Sequence, residues 1–169
     1  MKKLFAYAVA IGLAGFIYSG CGDDNSSPAG GTTQTTSGTA SFTLNGAGFS
    51  NQSFTVSGVI GGFEDNQTGL AGGNPSAENQ AVLNIGFPGS STGTFQFNND
   101  DTGIGVSLGS GASTRSFESI SGTGQVVVTT YGNVGGNVVG TFSGKLYGGS
   151  STALDTVTVN GSFNAQRMH

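Results

Sequence analysis

Tryptophan is absent from the 169-residue sequence, cysteine and histidine occur once each, and proline occurs three times. A lone cysteine, Cys21, rules out an intramolecular disulfide, and a lone histidine that is also the last residue, His169, leaves no side chain for a Ser-His-Asp triad or a zinc cluster. Charged residues make up only 8 % of the chain, with five Lys and Arg. Two of these are Lys2 and Lys3, so nothing resembles the basic track that nucleic acid requires. No GxxxxGK[ST] loop is present to hold a nucleotide phosphate. No apolar run reaches the ~20 residues of a membrane-spanning helix. Scarce proline excludes collagen despite abundant glycine, and the Ala/Glu/Lys/Leu background of a long helix or coiled coil is missing.

What is abundant is glycine: 32 residues, against an ordinary share of ~7 %. The N-terminus carries a distinct signal. Lys2 and Lys3 form a positive start, the 14 residues from Leu4 to Ile17 are apolar, and Ser19-Gly20 precede Cys21 and Gly22-Asp23-Asp24. This is the layout of an export signal. Small residues before a single cysteine resemble the lipobox of bacterial lipoproteins, which implies cleavage before Cys21 and acylation of its sulfur. The expected division is therefore a signal peptide over 1–20, a lipidated Cys21 with a Ser/Thr/Gly tether over 21–39, and one domain over 40–169. From Asn25 to Thr39 there is no large apolar side chain, so the segment cannot offset the entropy of ordering. Without residues 1–20, Lys145, Arg115 and Arg167 face nine acids, a formal −6.

After Ala40 the apolar pattern has a period of two, as in half-buried antiparallel strands. Phe42 and Leu44 share a face, as do Phe54, Val56, Gly58 and Ile60, then Leu83, Ile85 and Phe87, then Phe95 and Phe97, then Ile104, Val106 and Leu108. Val126 and Val128 follow with Gly122 and Gly124; Val138, Phe142 and Leu146 with Gly140 and Gly144; and Val157, Val159 and Phe163 with Gly161. The glycines on these apolar faces predict that Phe rings lie across the gaps they leave. Turn clusters stand at Asn98–Gly103, Tyr131–Gly136 and Gly148–Ser151. The expected fold is all-β, an antiparallel two-sheet sandwich of about nine strands, with a closed barrel or a β-solenoid as alternatives. Residues 120–130 and 138–147 are expected to form a hairpin whose paired residue numbers sum to 266, setting Gly124 opposite Phe142.

Ser121-Gly-Thr-Gly-Gln-Val-Val-Val-Thr, Val139-Gly-Thr-Phe-Ser-Gly-Lys-Leu146 and Thr156-Val-Thr-Val-Asn-Gly-Ser-Phe163 resemble the closing strands of a family of uncharacterised Bacteroidota envelope lipoproteins. That family carries a GTFSG strand and a terminal T-x-T-x-NGSF strand. Leu83-Asn-Ile85 and Thr92-Gly-Thr-Phe95 fit its earlier strands, so the likeness spans roughly residues 80 to 167. It implies a lipid-anchored, all-β envelope protein and no assigned activity.

No catalytic constellation emerges from Glu64, Asp65, Glu78, Asp100, Asp101, Glu118 and Asp155, most of which fall in expected loops. Glu118, close to Arg115, reads as an ion-pair or solvent-facing residue. Asp100 and Asp101 with Asn98, Asn99 and Thr102 offer oxygen ligands of the kind calcium prefers, but an Asn/Asp turn explains the same residues. Tyr131 and Tyr147 are the candidate aromatic contacts for a glycan. The expected function is a non-catalytic, lipid-anchored envelope protein in the outer membrane, held to the bilayer through Cys21, with surface display suggested by Asp23-Asp24. It needs no cofactor, and its partner is an unidentified envelope protein or polysaccharide. The alternative is a carboxylate- or calcium-assisted enzyme or a glycan-binding accessory module.

Overall fold

The computed structural model describes residues 38–74, 80–150 and 153–169. Cys21, the export signal, most of the tether and Glu78 lie outside the described residues. β1 spans Gly38–Gly46, β2 Phe49–Glu64, β3 Gln67–Gly73, β4 Ala81–Pro88 and β5 Gly93–Gln96. They are followed by β6 at Gly103–Leu108, β7 at Arg115–Ser119, β8 at Gln125–Tyr131, β9 at Asn137–Ser150 and β10 at Ala153–Arg167. A single 3₁₀ turn, Gly111–Ser113, joins β6 to β7. β1 begins two residues before the expected domain boundary at Ala40.

The strands do not split into two packed sheets. Eight of them, in the order β1-β2-β3-β4-β6-β7-β9-β10, close back onto β1 as an antiparallel barrel. This replaces the expected sandwich with its barrel alternative. The antiparallel ladders also dispose of a solenoid. Closure depends on three long strands, β2 of 16 residues, β9 of 14 and β10 of 15, which change partners along their length. β9 pairs with β8 through Val138–Ser143 and with β7 through Leu146–Gly149. β8 in turn carries β5. β1 lies between β2 and β10 up to Gly38; beyond it β2 and β10 meet directly and in parallel, Ile60 opposite Gln166 and Gly61 opposite Arg167. Such mid-strand changes of neighbour leave no mark on hydrophobic periodicity, so sandwich and barrel read alike in sequence.

An eight-stranded barrel is just wide enough inside for side chains to fill, and here glycines make room in each row for the Phe rings beside them. One row runs Phe54, Phe42, Gly161, Phe142 and Val126; the next runs Val56, Ala40, Phe163, Gly140 and Val128. A Cβ on Gly161 would overlap the Phe142 ring, and one on Gly140 would sit 2.6 Å from Cζ of Phe163. Phe97 lies in the same way over both Gly124 and Gly144. The expected covering of in-strand glycines by aromatic rings therefore holds at four positions. Gly122 departs from it: it sits in a turn with φ of +73° and open space where a Cβ would be.

Two details of register differ from expectation. The β8–β9 hairpin forms, but Val126, not Gly124, faces Phe142, so the paired numbers sum to 268 from Gln125 to Val128, a shift of two that preserves the inner face. A bulge at Thr129 then raises the sum to 269 for Thr130 and Tyr131, against the even sum expected for the whole hairpin. In β2 the alternation breaks at Gly58, which takes φ of +64° and bulges between the pairs Gly38/Val59 and Thr39/Ser57. One extra residue exchanges the faces. Val59 and Gly61 consequently turn inward, and Ile60, expected inside, is only half-buried.

Candidate functional site

The outer wall is polar where β1, β2 and β10 meet. Ser41, Asn45, Thr55, Ser57, Thr158, Asn160, Ser162 and Asn164 are all exposed. A barrel that crosses a bilayer presents an apolar band to lipid, and these strands present hydroxyls and amides instead. Inside, Phe42, Val56, Leu83, Val106, Phe117, Phe142, Leu146 and Val159 are buried. The chemically active groups accordingly sit at the two ends and on the outer wall.

At the end where β10 finishes, Thr68 is the key polar residue of the interior. Its hydroxyl donates to the carbonyl of Gly89 at 2.6 Å, so its contact with the Tyr131 hydroxyl at 2.7 Å has Tyr131 as the donor. The Tyr131 ring stands edge-on to Phe87, and the Arg167 guanidinium lies 4.9 Å from its centre. Arg167 also donates from Nη1 to Gly132 and from Nε to the His169 carbonyl. Phe87 stacks on Phe95 at 5.1 Å, joining β4 to β5, between which no ladder runs. Tyr131 is thus a closing piece of the barrel, with its hydroxyl and one ring face already engaged.

The opposite end repeats the device. Arg115 lies 4.5 Å from the centre of the Phe49 ring and 5.2 Å from that of Phe117, and donates from Nη2 to the Ala47 carbonyl. A guanidinium over an aromatic face contributes ~0.5–2 kcal/mol depending on desolvation. Sequence reading missed both arginines as structural groups. The signal was present: Arg115 shares the inward parity of Phe117, and Arg167 that of Phe163 and Ala165.

Tyr147 is 50 % exposed on the outer wall, with Glu118 and Thr156 as its cross-strand neighbours. Nine residues of β9 separate it from Val138, the partner of Tyr131, which is roughly 30 Å of strand. The two tyrosines are therefore not brought together. Glu118 points to solvent, as do Glu64, Asp65, Asp100 and Asp155. Among the described residues no three His, Cys, Asp or Glu side chains are grouped to hold a metal.

Asp100 and Asp101 belong to a tight turn organised by Asn98. Its Oδ1 accepts from the backbone N–H groups of Asp100, Asp101 and Thr102 at 2.8–3.0 Å, and its Nδ2 donates to Asp101 Oδ1 at 2.6 Å. Gln67 donates to the Asp101 carbonyl. The oxygen that points into the loop is thus fully occupied by the loop's own donors, which is the Asn/Asp turn of the sequence reading.

His169 is not a frayed end. Its carbonyl accepts from Phe63 N–H at 3.2 Å, and its imidazole occupies the space that a Cβ on Gly62 would need. No protein family, curated protein or solved structure matches the chain.

Proposed function

We propose that the chain is a non-catalytic envelope lipoprotein: Cys21 is acylated on sulfur, residues 1–20 are then removed, and the barrel is held at the outer membrane of a Bacteroidota-type cell by its tether. The observation that carries this reading is the ordered N-terminal series of Lys2-Lys3, the apolar run Leu4–Ile17 and Ser19-Gly20-Cys21. It is supported by the polar outer wall where β1, β2 and β10 meet, which favours some other means of attachment to the bilayer than the barrel itself. Two or three acyl chains supply that attachment without any spanning segment. The filled interior favours binding at the outer surface over chemistry in a cavity. Cys21→Ser is expected to abolish incorporation of labelled fatty acid and to release the protein from the membrane pellet. Retention in the pellet at high salt would contradict the anchor.

Tyr147 favours a second element of the reading. An exposed ring beside Glu118 and Thr156 offers a stacking face with adjacent hydrogen-bonding groups, the combination a polysaccharide partner would use. Tyr147→Ala would then weaken retention on an envelope polysaccharide matrix while leaving the melting temperature unchanged.

A further inference from the structure

Two of the exposed large apolar side chains among the described residues, Val134 at 62 % and Met168 at 48 %, lie at the same end of the barrel. The backbone brings their segments side by side. Gly135 N–H donates to the Arg167 carbonyl and Arg167 N–H to the Gly136 carbonyl, both at 2.8 Å, which sets the β8–β9 turn against the end of β10. Met168 N–H donates to Gly61 on the other flank, in the parallel junction of β2 and β10. β1 enters the barrel at that junction. A Cβ on Gly38 would overlap the Val59 carbonyl and crowd Ala165 Cα at 2.8 Å, so the strand starts wedged between β2 and β10 and runs away from this end.

We propose that this end of the barrel, with Val134 and Met168 as its contacts, rests on the surface of the bilayer that holds Cys21. The inference rests on the lipid-anchor reading above. Only 16 residues, Gly22 to Ser37, separate Cys21 from Gly38. As an unstructured chain this length gives a root-mean-square reach of ~20–25 Å, so the anchored barrel samples the headgroup layer at millimolar effective concentration. Under those conditions a small apolar contact is enough to orient the domain, although it would be negligible for a free protein. The neighbouring β2–β3 turn exposes Glu64 and Asp65. The surface that fits is therefore a zwitterionic one, and anionic lipid would weaken the contact. In this orientation Leu154 and Tyr147, toward the other end of β9 and β10, are carried away from the membrane.

The test uses the mature, acylated protein reconstituted in phosphatidylethanolamine/phosphatidylcholine vesicles, with an environment-sensitive fluorophore on Val134→Cys or, separately, on Leu154→Cys. Lipid-borne nitroxide is expected to quench the label at 134 at least threefold more than that at 154, and Met168→Ser is expected to remove most of the difference. Equal quenching at the two positions, in protein that co-floats with the vesicles, would overturn the docking and leave the anchor intact. A label at 134 shielded from both nitroxide and aqueous iodide would show that the tether covers the patch, and self-quenching that grows with protein density would show a second copy there. Either result overturns docking. Acylation-competent protein that fails to co-float would overturn the anchor, and the docking with it.

Discussion

A Phe ring laid over a glycine is the unit from which the barrel interior is built. Phe142 and Phe163 are each 2 % exposed, stack at 6.5 Å and cover Gly161 and Gly140 respectively. Truncating either ring leaves a cavity beside a residue with no side chain to collapse into it. Phe142→Ala and Phe163→Ala are each expected to cost ~3–5 kcal/mol in urea unfolding. The converse change distinguishes one glycine from another. Gly161→Ala forces a methyl into the Phe142 ring and is expected to destabilise by ~1–3 kcal/mol. Gly69→Ala meets open space at a negative φ, and is expected to be neutral or to stabilise by ~0.4–1 kcal/mol through the unfolded state. Equal effects from the two glycines would show that the rings do not lie where the structure puts them. This scale was the most legible in sequence, because apolar parity alone placed Gly124, Gly140, Gly144 and Gly161 among the aromatics. Which ring covers which glycine was not legible: Phe97, far from β9 in sequence, turned out to cover Gly144.

Strand β2 shows what periodicity conveys and where it stops. Phe54 and Val56 read correctly as inward, but the Gly58 bulge exchanged the faces of the residues after it. A glycine within a strand is a known mark of a bulge, yet the same mark stands at many glycines of this chain that do not bulge. Asn74 extends the lesson. Beyond the end of β3 its side chain accepts from Ser57 N–H at 3.2 Å and donates to the Thr55 carbonyl, continuing the β2–β3 ladder with an amide in place of backbone. Among the turns, Asn98–Thr102 was legible as an Asn/Asp turn, and its energetics follow from the single oxygen at its centre. Asn98→Ala hands three backbone donors of a largely exposed turn back to water and is expected to lower stability by about 0.5–1.5 kcal/mol, while Asp100→Asn should stay within ~0.5 kcal/mol. Millimolar calcium should leave the melting temperature unchanged in a thermal scan. A rise of several degrees that disappears when Asp100 and Asp101 are both changed to Asn would mean that an ion binds the loop.

For the whole molecule, β content was legible, and closure was not. Whether eight strands make two layers or one ring depends on long-range partners such as Gly38 with Val59 and Gln166 with Ile60, and a period of two carries no information on them. The ring matters for the proposed function because it fills its own interior and presents hydroxyls and amides where β1, β2 and β10 meet. On the proposed reading the barrel is a body to be carried and presented, and the attachment falls to Cys21. Intact mass spectrometry of the protein extracted in detergent from its native membrane tests that account most directly. The account predicts a chain of residues 21–169 bearing two or three acyl chains on Cys21; an unmodified chain, or one still carrying residues 1–20, would contradict it.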